Sequence, residues 1–292
     1  MLDNFAIFII THKRPSAQHT YNALMACNYT GKVYFVLDDT DPTIQEYIDK
    51  YGVDNILVFD KNHYINSADY DNGDNKAIYA SAVYARRAVE DMAISLQLKN
   101  FVMADDDILD FVIRYPIDGS LKRFKITDFD RIIEAYLDIL DCGVACVGFG
   151  RANSYFGGAV AFSPENMNKR VIVTNFFIRN TSIPVSWSAW TFEDDITVLQ
   201  SSLLGELWLS IPYVQQVPSE FTNLKGNGGN VELYQQNSRF EGCFTELKYM
   251  PSQIQIKCAD KNNVDNVKNT TLLRHVNKCY QKIISSSYRK ER

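Results

Sequence analysis

Four apolar residues, Phe-Val-Met-Ala at 101–104, run directly into three consecutive carboxylates, Asp105, Asp106 and Asp107. An apolar run of that length after a long helical segment reads as a strand buried on both faces of a parallel sheet. The carboxylates then stand at the strand's carboxyl end, the edge of an open α/β sheet where ligands collect. Three adjacent anions repel one another. A divalent cation held by oxygen ligands relieves that repulsion, above all one that also neutralises a diphosphate. The competing reading is an acidic turn that caps the next element.

The preceding residues supply the rest of such a sheet. Residues 5–10, 33–37 and 56–59 are further apolar runs, each followed by polar residues. A helix is expected from Ser16, with Ala17, Tyr21, Leu24 and Met25 on one side. A second follows Pro42, its stripe of Ile44, Tyr47, Ile48 and Tyr51 ending before Gly52. A third spans 77–99 and carries Arg86 and Arg87. Strands and helices alternating with short connections imply a parallel, right-handed, doubly wound sheet. One common edge then gathers Thr11, Lys13, Arg14, Asp38, Asp39 and the acidic triplet.

The second half is less regular. A helix beginning at Thr127 is stopped by Gly143, and residues 144–149, 157–162 and 171–178 read as mixed or antiparallel strands, with Tyr155 and Phe156 between them. Trp187 and Trp190 lead into Glu193, Asp194 and Asp195, which open a helix closed by Gly205. Acidic residues in a first helical turn are favoured by the helix dipole, which is a purely structural account of them. The two tryptophans beside them favour a functional account, with buried core tryptophans as the competing reading. A short strand at 208–211 and a glycine-rich stretch at 225–230, a lid or a turn, precede a remainder expected to be helical with a basic tail.

Composition narrows the class. A net charge of −5 argues against binding nucleic acid through bulk positive charge. Six cysteines without a CxxC pair fit free thiols in a reducing compartment rather than zinc. With no apolar stretch of membrane-spanning length, the chain reads as soluble and cytoplasmic.

The order Thr11-x-Lys13-Arg14, Leu37-Asp38-Asp39, Ala85-Arg86-Arg87, Asp105-Asp106-Asp107 and Glu193-Asp194 resembles a GT-A-fold nucleotide-sugar glycosyltransferase. The resemblance is to the inverting, family-two-like branch, over roughly residues 5–215. Within that branch it extends to phage-type enzymes that glycosylate modified DNA bases in the host cytoplasm. It implies a Rossmann-type mixed α/β sheet flanked by helices. Residues 1–110 would be the donor half, 111–220 the acceptor and catalytic half, and 221–292 a C-terminal acceptor-side extension.

Roles follow from the same resemblance. Thr11, Lys13 and Arg14 would line the nucleotide pocket, and Asp38 or Asp39 would accept from a uracil-type base. Arg86 would face the diphosphate and Asp106 would serve the donor. Asp105 and Asp107 would form the acidic pair that holds ribose and Mn²⁺ or Mg²⁺. Asp194 would be the general base, positioned by Glu193 and Asp195, and Trp187, Trp190, Tyr155 and Phe156 would meet the acceptor. The donor implied is a nucleoside-diphosphate sugar of the UDP type. The acceptor is a hydroxymethylated base in DNA, or else a soluble or surface glycan. A nucleotidyltransferase and a catalytically silent binding module are the competing classes.

The chain departs from the pattern at residues 213–217, where relatives carry a metal-site histidine and this sequence has none. Gln216, water, or Asp107 with the diphosphate alone would stand in. A DNA acceptor also requires a basic strip, for which Lys122, Arg123, Lys125 and the C-terminal basic residues are the material. A base within a duplex would have to be flipped.

Overall fold

The computed structural model describes residues 4–65, 81–152, 158–163, 173–219, 239–258 and 272–276. In chain order these form β1 (Phe5–Ile10), α1 (His19–Ala26), β2 (Lys32–Asp38), α2 (Ile44–Tyr51), β3 (Ile56–Phe59), α3 (Lys61–Ile65), α4 (Ala82–Ser95) and β4 (Asn100–Asp105). There follow β5 (Ile108–Ile117), β6 (Ser120–Lys125), α5 (Phe129–Asp141), β7 (Cys146–Arg151), β8 (Phe176–Asn180), α6 (Glu193–Leu203), β9 (Trp208–Pro218), α7 (Arg239–Tyr249), β10 (Ile254–Cys258) and β11 (Leu272–Val276).

The first nine strands make one sheet in the order β3-β2-β1-β4-β8-β7-β9-β5-β6. β3, β2, β1 and β4 run parallel, as the alternating strands and helices require. β8 then pairs antiparallel with β4, and the sheet is mixed from there on. A mixed sheet flanked by helices is the fold class expected from the sequence.

Strand alternation explains why the first runs are apolar without interruption. Phe5, Ile7 and Ile9 join one core with Leu24 of α1, Tyr47 of α2 and Phe129 of α5. Ala6 and Phe8 join another with Val83, Ala88 and Val89 of α4. In β4, Val102 and Ala104 belong to the first core, Phe101 and Met103 to the second. The same two-residue period continues into the acidic triplet. Asp105 falls on the α4 side and Asp106 on the α1 side.

Several elements differ from expectation. Residues 158–162 form a single 3₁₀ turn rather than a strand. The short strand expected at 208–211 continues to Pro218, because β9 is held between β7 and β5. β5 and β6 form a hairpin that the apolar pattern does not announce, closed by Asp118 and Gly119 with φ of 50° and 73°. Two successive positive φ values are the signature of a type I′ turn, for which Asp-Gly is a favoured pair. The helical remainder is overturned in part: α7 is a helix, but β10 and β11 pair as an antiparallel hairpin. The glycine-rich stretch and the basic tail lie outside the described residues. Among the described residues no helix is long and apolar enough to cross a membrane.

Candidate active site

The acidic triplet is a turn at which the chain leaves β4 and crosses to β5, four places away in the sheet. Thr20 of α1 fixes its backbone. The Thr20 hydroxyl donates to the Asp105 carbonyl (2.5 Å) and accepts from the Ile108 N–H (3.0 Å), while the Thr20 N–H donates to the Asp106 carbonyl (3.2 Å). Nothing in the sequence marks Thr20, which sits in a helix stripe like any small core residue.

The three carboxylates have different surroundings. Asp106 accepts from the Thr11 hydroxyl (2.6 Å) and from Arg14 Nη1 (2.9 Å). Thr11 in turn bonds Tyr47 Oη (2.8 Å) and accepts from Gln18 Nε2 (2.7 Å). This buried network ties the loop after β1 to the triplet. Thr11 is thereby committed to protein partners, a correction to its placement on the donor, while Arg14 stays partly exposed and Lys13 exposed at the edge.

Asp105 faces α4, as alternation dictates. Arg86 Nη2 donates to its Oδ1 (3.2 Å) and Asn175 Nδ2 to its Oδ2 (2.7 Å). Asn175 holds a left-handed φ of 63°, and its carbonyl accepts the Asp105 N–H (2.8 Å). Burial raises the Asp105 carboxyl against the pull of Arg86, with Asp107 and Asp194 adding to the rise. Asp107 accepts from the Ser219 hydroxyl through Oδ2 (3.1 Å), whereas its buried Oδ1 has no partner among the described residues. Burial and the neighbouring Asp106 push this carboxyl upward too.

Arg86 joins the two acidic groups of the sequence. Its side chain is buried, and Nε donates to Glu193 Oε1 at 2.9 Å while Nη2 holds Asp105. The guanidinium also lies 5.3 Å from the Trp187 ring and 5.8 Å from that of Phe177. Burial disfavours its charge, but Asp105, Glu193 and Asp194 outweigh that and raise its pKa. Burial likewise lifts Glu193 despite Arg86. Arg86 thus holds two protein carboxylates through Nε and Nη2, while its Nη1 has no hydrogen-bond partner among the described residues.

Glu193, Asp194 and Asp195 form the first turn of α6, as expected, and Phe192 before them is left-handed at φ 54°. Asp194 is partly exposed, and its Oδ1 accepts the Asp195 N–H at 2.9 Å. Left-handed non-glycine residues at Lys13, Asn175, Ala189 and Phe192 all lie in segments bordering these carboxylates. Clustered conformations of this kind persist only where surrounding contacts enforce them.

Trp187 and Trp190 are framework rather than acceptor faces, being 1% and 6% exposed. Trp187 stacks on Phe177, meets Trp208 edge-on and donates to Glu90 Oε1 (3.1 Å), which also receives buried Arg179. Tyr155 and Phe156 lie outside the described residues. Asp38 is buried and takes hydrogen bonds from Thr40 and contacts from His12 (3.0 Å) and Lys61 (4.0 Å). Burial alone would raise its carboxyl, but the His12 and Thr40 bonds and the Lys61 charge prevail and hold it well below the carboxylate range. Asp39, by contrast, is exposed and accepts only the Lys61 N–H among the described residues.

Glu246, on α7, is a residue that sequence reasoning missed. Its carboxyl is fully buried, and burial together with the charge of Asp194 pushes it up to about 8. An unfolded glutamate titrates near 4.5, so the folded chain keeps the extra proton between those values. Stability from this group is complete below the lower value and declines as pH rises through the upper one. Glu246→Gln should flatten that decline, matching wild type near about pH 5 and melting higher near about pH 8.5. Parallel melting curves for the two proteins across this range would refute the placement.

A mixed sheet with acidic groups gathered at one edge is the arrangement expected from the sequence for a sugar-transferring enzyme, a glycosyltransferase, and the family match bears out that class. The family described as TAGT, TET-Associated Glycosyltransferase, matches residues 5–224, and the chain belongs to it. No functionally curated protein matches the chain. Similar solved structures include glucosyl-3-phosphoglycerate synthase from Mycobacterium tuberculosis with Mg²⁺ and UDP: TM-score 0.45, 8% identity, covering 93% of this chain and 86% of that one. The same enzyme with Mn²⁺, UDP and phosphoglyceric acid gives a TM-score of 0.43 and 9% identity, covering 96% and 88%. With Mn²⁺, UDP-glucose and phosphoglyceric acid the values are 0.43 and 11%, covering 94% and 86%.

Proposed function

We propose that the enzyme transfers a sugar from a nucleoside-diphosphate sugar of the UDP type to the hydroxyl of a hydroxymethylated base in DNA, with Mn²⁺ or Mg²⁺ on the donor diphosphate. The observation that carries this reading is the Arg86 junction. One buried guanidinium ties the end of β4 to the start of α6, so donor-side and acceptor-side carboxylates belong to one electrostatic unit. The family's association with TET favours DNA as the acceptor.

The unpartnered Oδ1 of Asp107 suits a divalent ion, whereas both oxygens of Asp105 are occupied by Arg86 and Asn175. Among the described residues no three His, Cys, Asp or Glu side chains gather as a metal cage. Such a site fits an ion bound through one carboxylate and substrate phosphates. The ion would neutralise charge on the departing diphosphate. Asp105 then positions the donor ribose, exposed Asp39 and Lys13 border the nucleotide, and Asp194 takes the proton of the attacking hydroxyl.

The test is thermal stabilisation and nucleoside diphosphate release across a panel of nucleotide sugars with Mn²⁺ or Mg²⁺. One donor should stabilise wild type only when metal is present, and Asp107→Asn should lose that dependence. Release should rise on adding hydroxymethylated DNA. Absence of stabilisation by every donor with either metal would end this reading.

A further inference from the structure

The β5–β6 hairpin stands at the outer edge of the sheet and differs in character from the rest of the chain. Residues 108–125 carry four cations, Arg114, Lys122, Arg123 and Lys125, against two carboxylates, in a protein of net charge −5. Lys122, Arg123 and Lys125 are exposed, Arg123 while paired with Asp110 of β5, and so are the rings of Tyr115 (52%) and Phe124 (44%). The pairing register sets Arg114 opposite Arg123, and Val112 opposite Lys125, which places Arg114, Arg123 and Lys125 on one face. Tyr115 opposite Lys122, and Ile113 opposite Phe124, make the other face, mixed aromatic and basic. Tyr115 is held by a ring contact with Tyr213 at 5.4 Å, and Tyr213 by one with Phe162 at 5.5 Å.

We propose that this ribbon is the surface on which the phosphate backbone of the acceptor DNA docks, an inference that rests on the DNA-acceptor reading above. β5 begins at the residue after Asp107, so the ribbon is anchored at the carboxylates themselves. Lys125 pairs with Val112, five residues along, about 17 Å from the triplet at the rise of an extended strand. Phosphates several nucleotides from the reacting base therefore meet the ribbon. Cations on alternate residues repeat about every 7 Å along a strand, a period close to that of successive phosphates. Exposed rings beside cations are the combination that holds nucleic-acid strands without reading sequence.

An edge strand with unpaired backbone groups can also pair with another chain, so a second copy is the rival occupant. The charge-reversed variant Lys122→Glu/Arg123→Glu/Lys125→Glu separates the two, because it keeps the edge charged while repelling phosphate. Binding of a labelled, unmodified DNA duplex is followed by fluorescence anisotropy against salt, with sedimentation of both proteins alongside.

Wild type should show a steep linear fall of log affinity with log salt. The variant's slope should be shallower by about two, Arg123 being shared with Asp110, with affinity roughly tenfold or more weaker at low salt. Its KM for hydroxymethylated DNA should rise more than its kcat falls. An unchanged slope and KM in the variant, with DNA still bound by wild type, overturns the ribbon alone. No DNA binding by wild type overturns both the ribbon and the DNA acceptor, while donor-dependent stabilisation would still stand. Self-association of wild type that the variant loses, with DNA binding unaltered, assigns the edge to a second copy instead.

Discussion

Arg86→Met should unfold in urea with about 3–5 kcal/mol less stability than wild type, the range for breaking a buried ion pair from one side. Two carboxylates, Asp105 and Glu193, would lose the guanidinium that holds them at 3.2 and 2.9 Å. Asp105 keeps 27% of its side chain exposed and Glu193 12%, so Glu193 is the more costly of the two to strand. The double variant Arg86→Met/Glu193→Gln should recover part of the loss, since it removes one of the stranded charges. Arg86→Lys should not rescue, because a single ammonium does not span both carboxylates as the planar fork does. Activity should fall in step, because the residue before Asp194 is then unanchored. A change below about 1 kcal/mol would mean that the junction is not a structural tie.

The second large effect is expected at Asp194. Asp194→Asn keeps the shape of the first turn of α6 but removes the carboxylate proposed as base, so kcat should drop by about 10²–10⁴ while donor-dependent stabilisation persists. Asp195→Asn, one residue on, should lose far less. If Asp194→Asn turns over within about tenfold of wild type, the proton goes elsewhere. Binding and turnover must be measured separately, since a fall in both would point to damage at the Arg86 junction rather than to a missing base.

The contrast between what could and could not be read from the sequence has a physical pattern. β1, β2 and β4 were legible because both of their faces are largely buried, which writes each strand as an uninterrupted apolar run; β3, at the sheet edge, is apolar too although Val58 is exposed. The same alternation, carried one step past Ala104, is enough to send Asp105 toward Arg86 and Asp106 toward Arg14. The hairpin of β5 and β6 was not legible from hydropathy, since nearly every residue of β6 is exposed and there is no apolar face to see. Its trace was the Asp118-Gly119 pair, a matter of backbone dihedrals rather than burial.

Trp187 and Trp190 misled for the opposite reason. Aromatics beside carboxylates look like a binding platform, but here they are packed into the core. The face of Trp187 meets the guanidinium of Arg86, and its N–H meets Glu90, which also holds the buried guanidinium of Arg179. A one-dimensional pattern does not distinguish a ring that shields a buried cation from one that awaits a sugar. Asn175 and Thr20 were invisible because each acts on a partner that is distant in sequence, at separations of 70 and 85 residues.

That last distance bears on how the protein comes into being. The hydroxyl of Thr20 shapes the turn at Asp105 to Ile108, and β1 must already lie against β4 for the two to meet. Local helix formation makes no progress toward that contact, and closing so long a loop slows the search. On the ribosome, α1 emerges long before its partner turn has been synthesised. The catalytic edge is therefore absent from every shorter nascent chain and arises only as the central strands dock, so that competence for chemistry and completion of the fold arrive together.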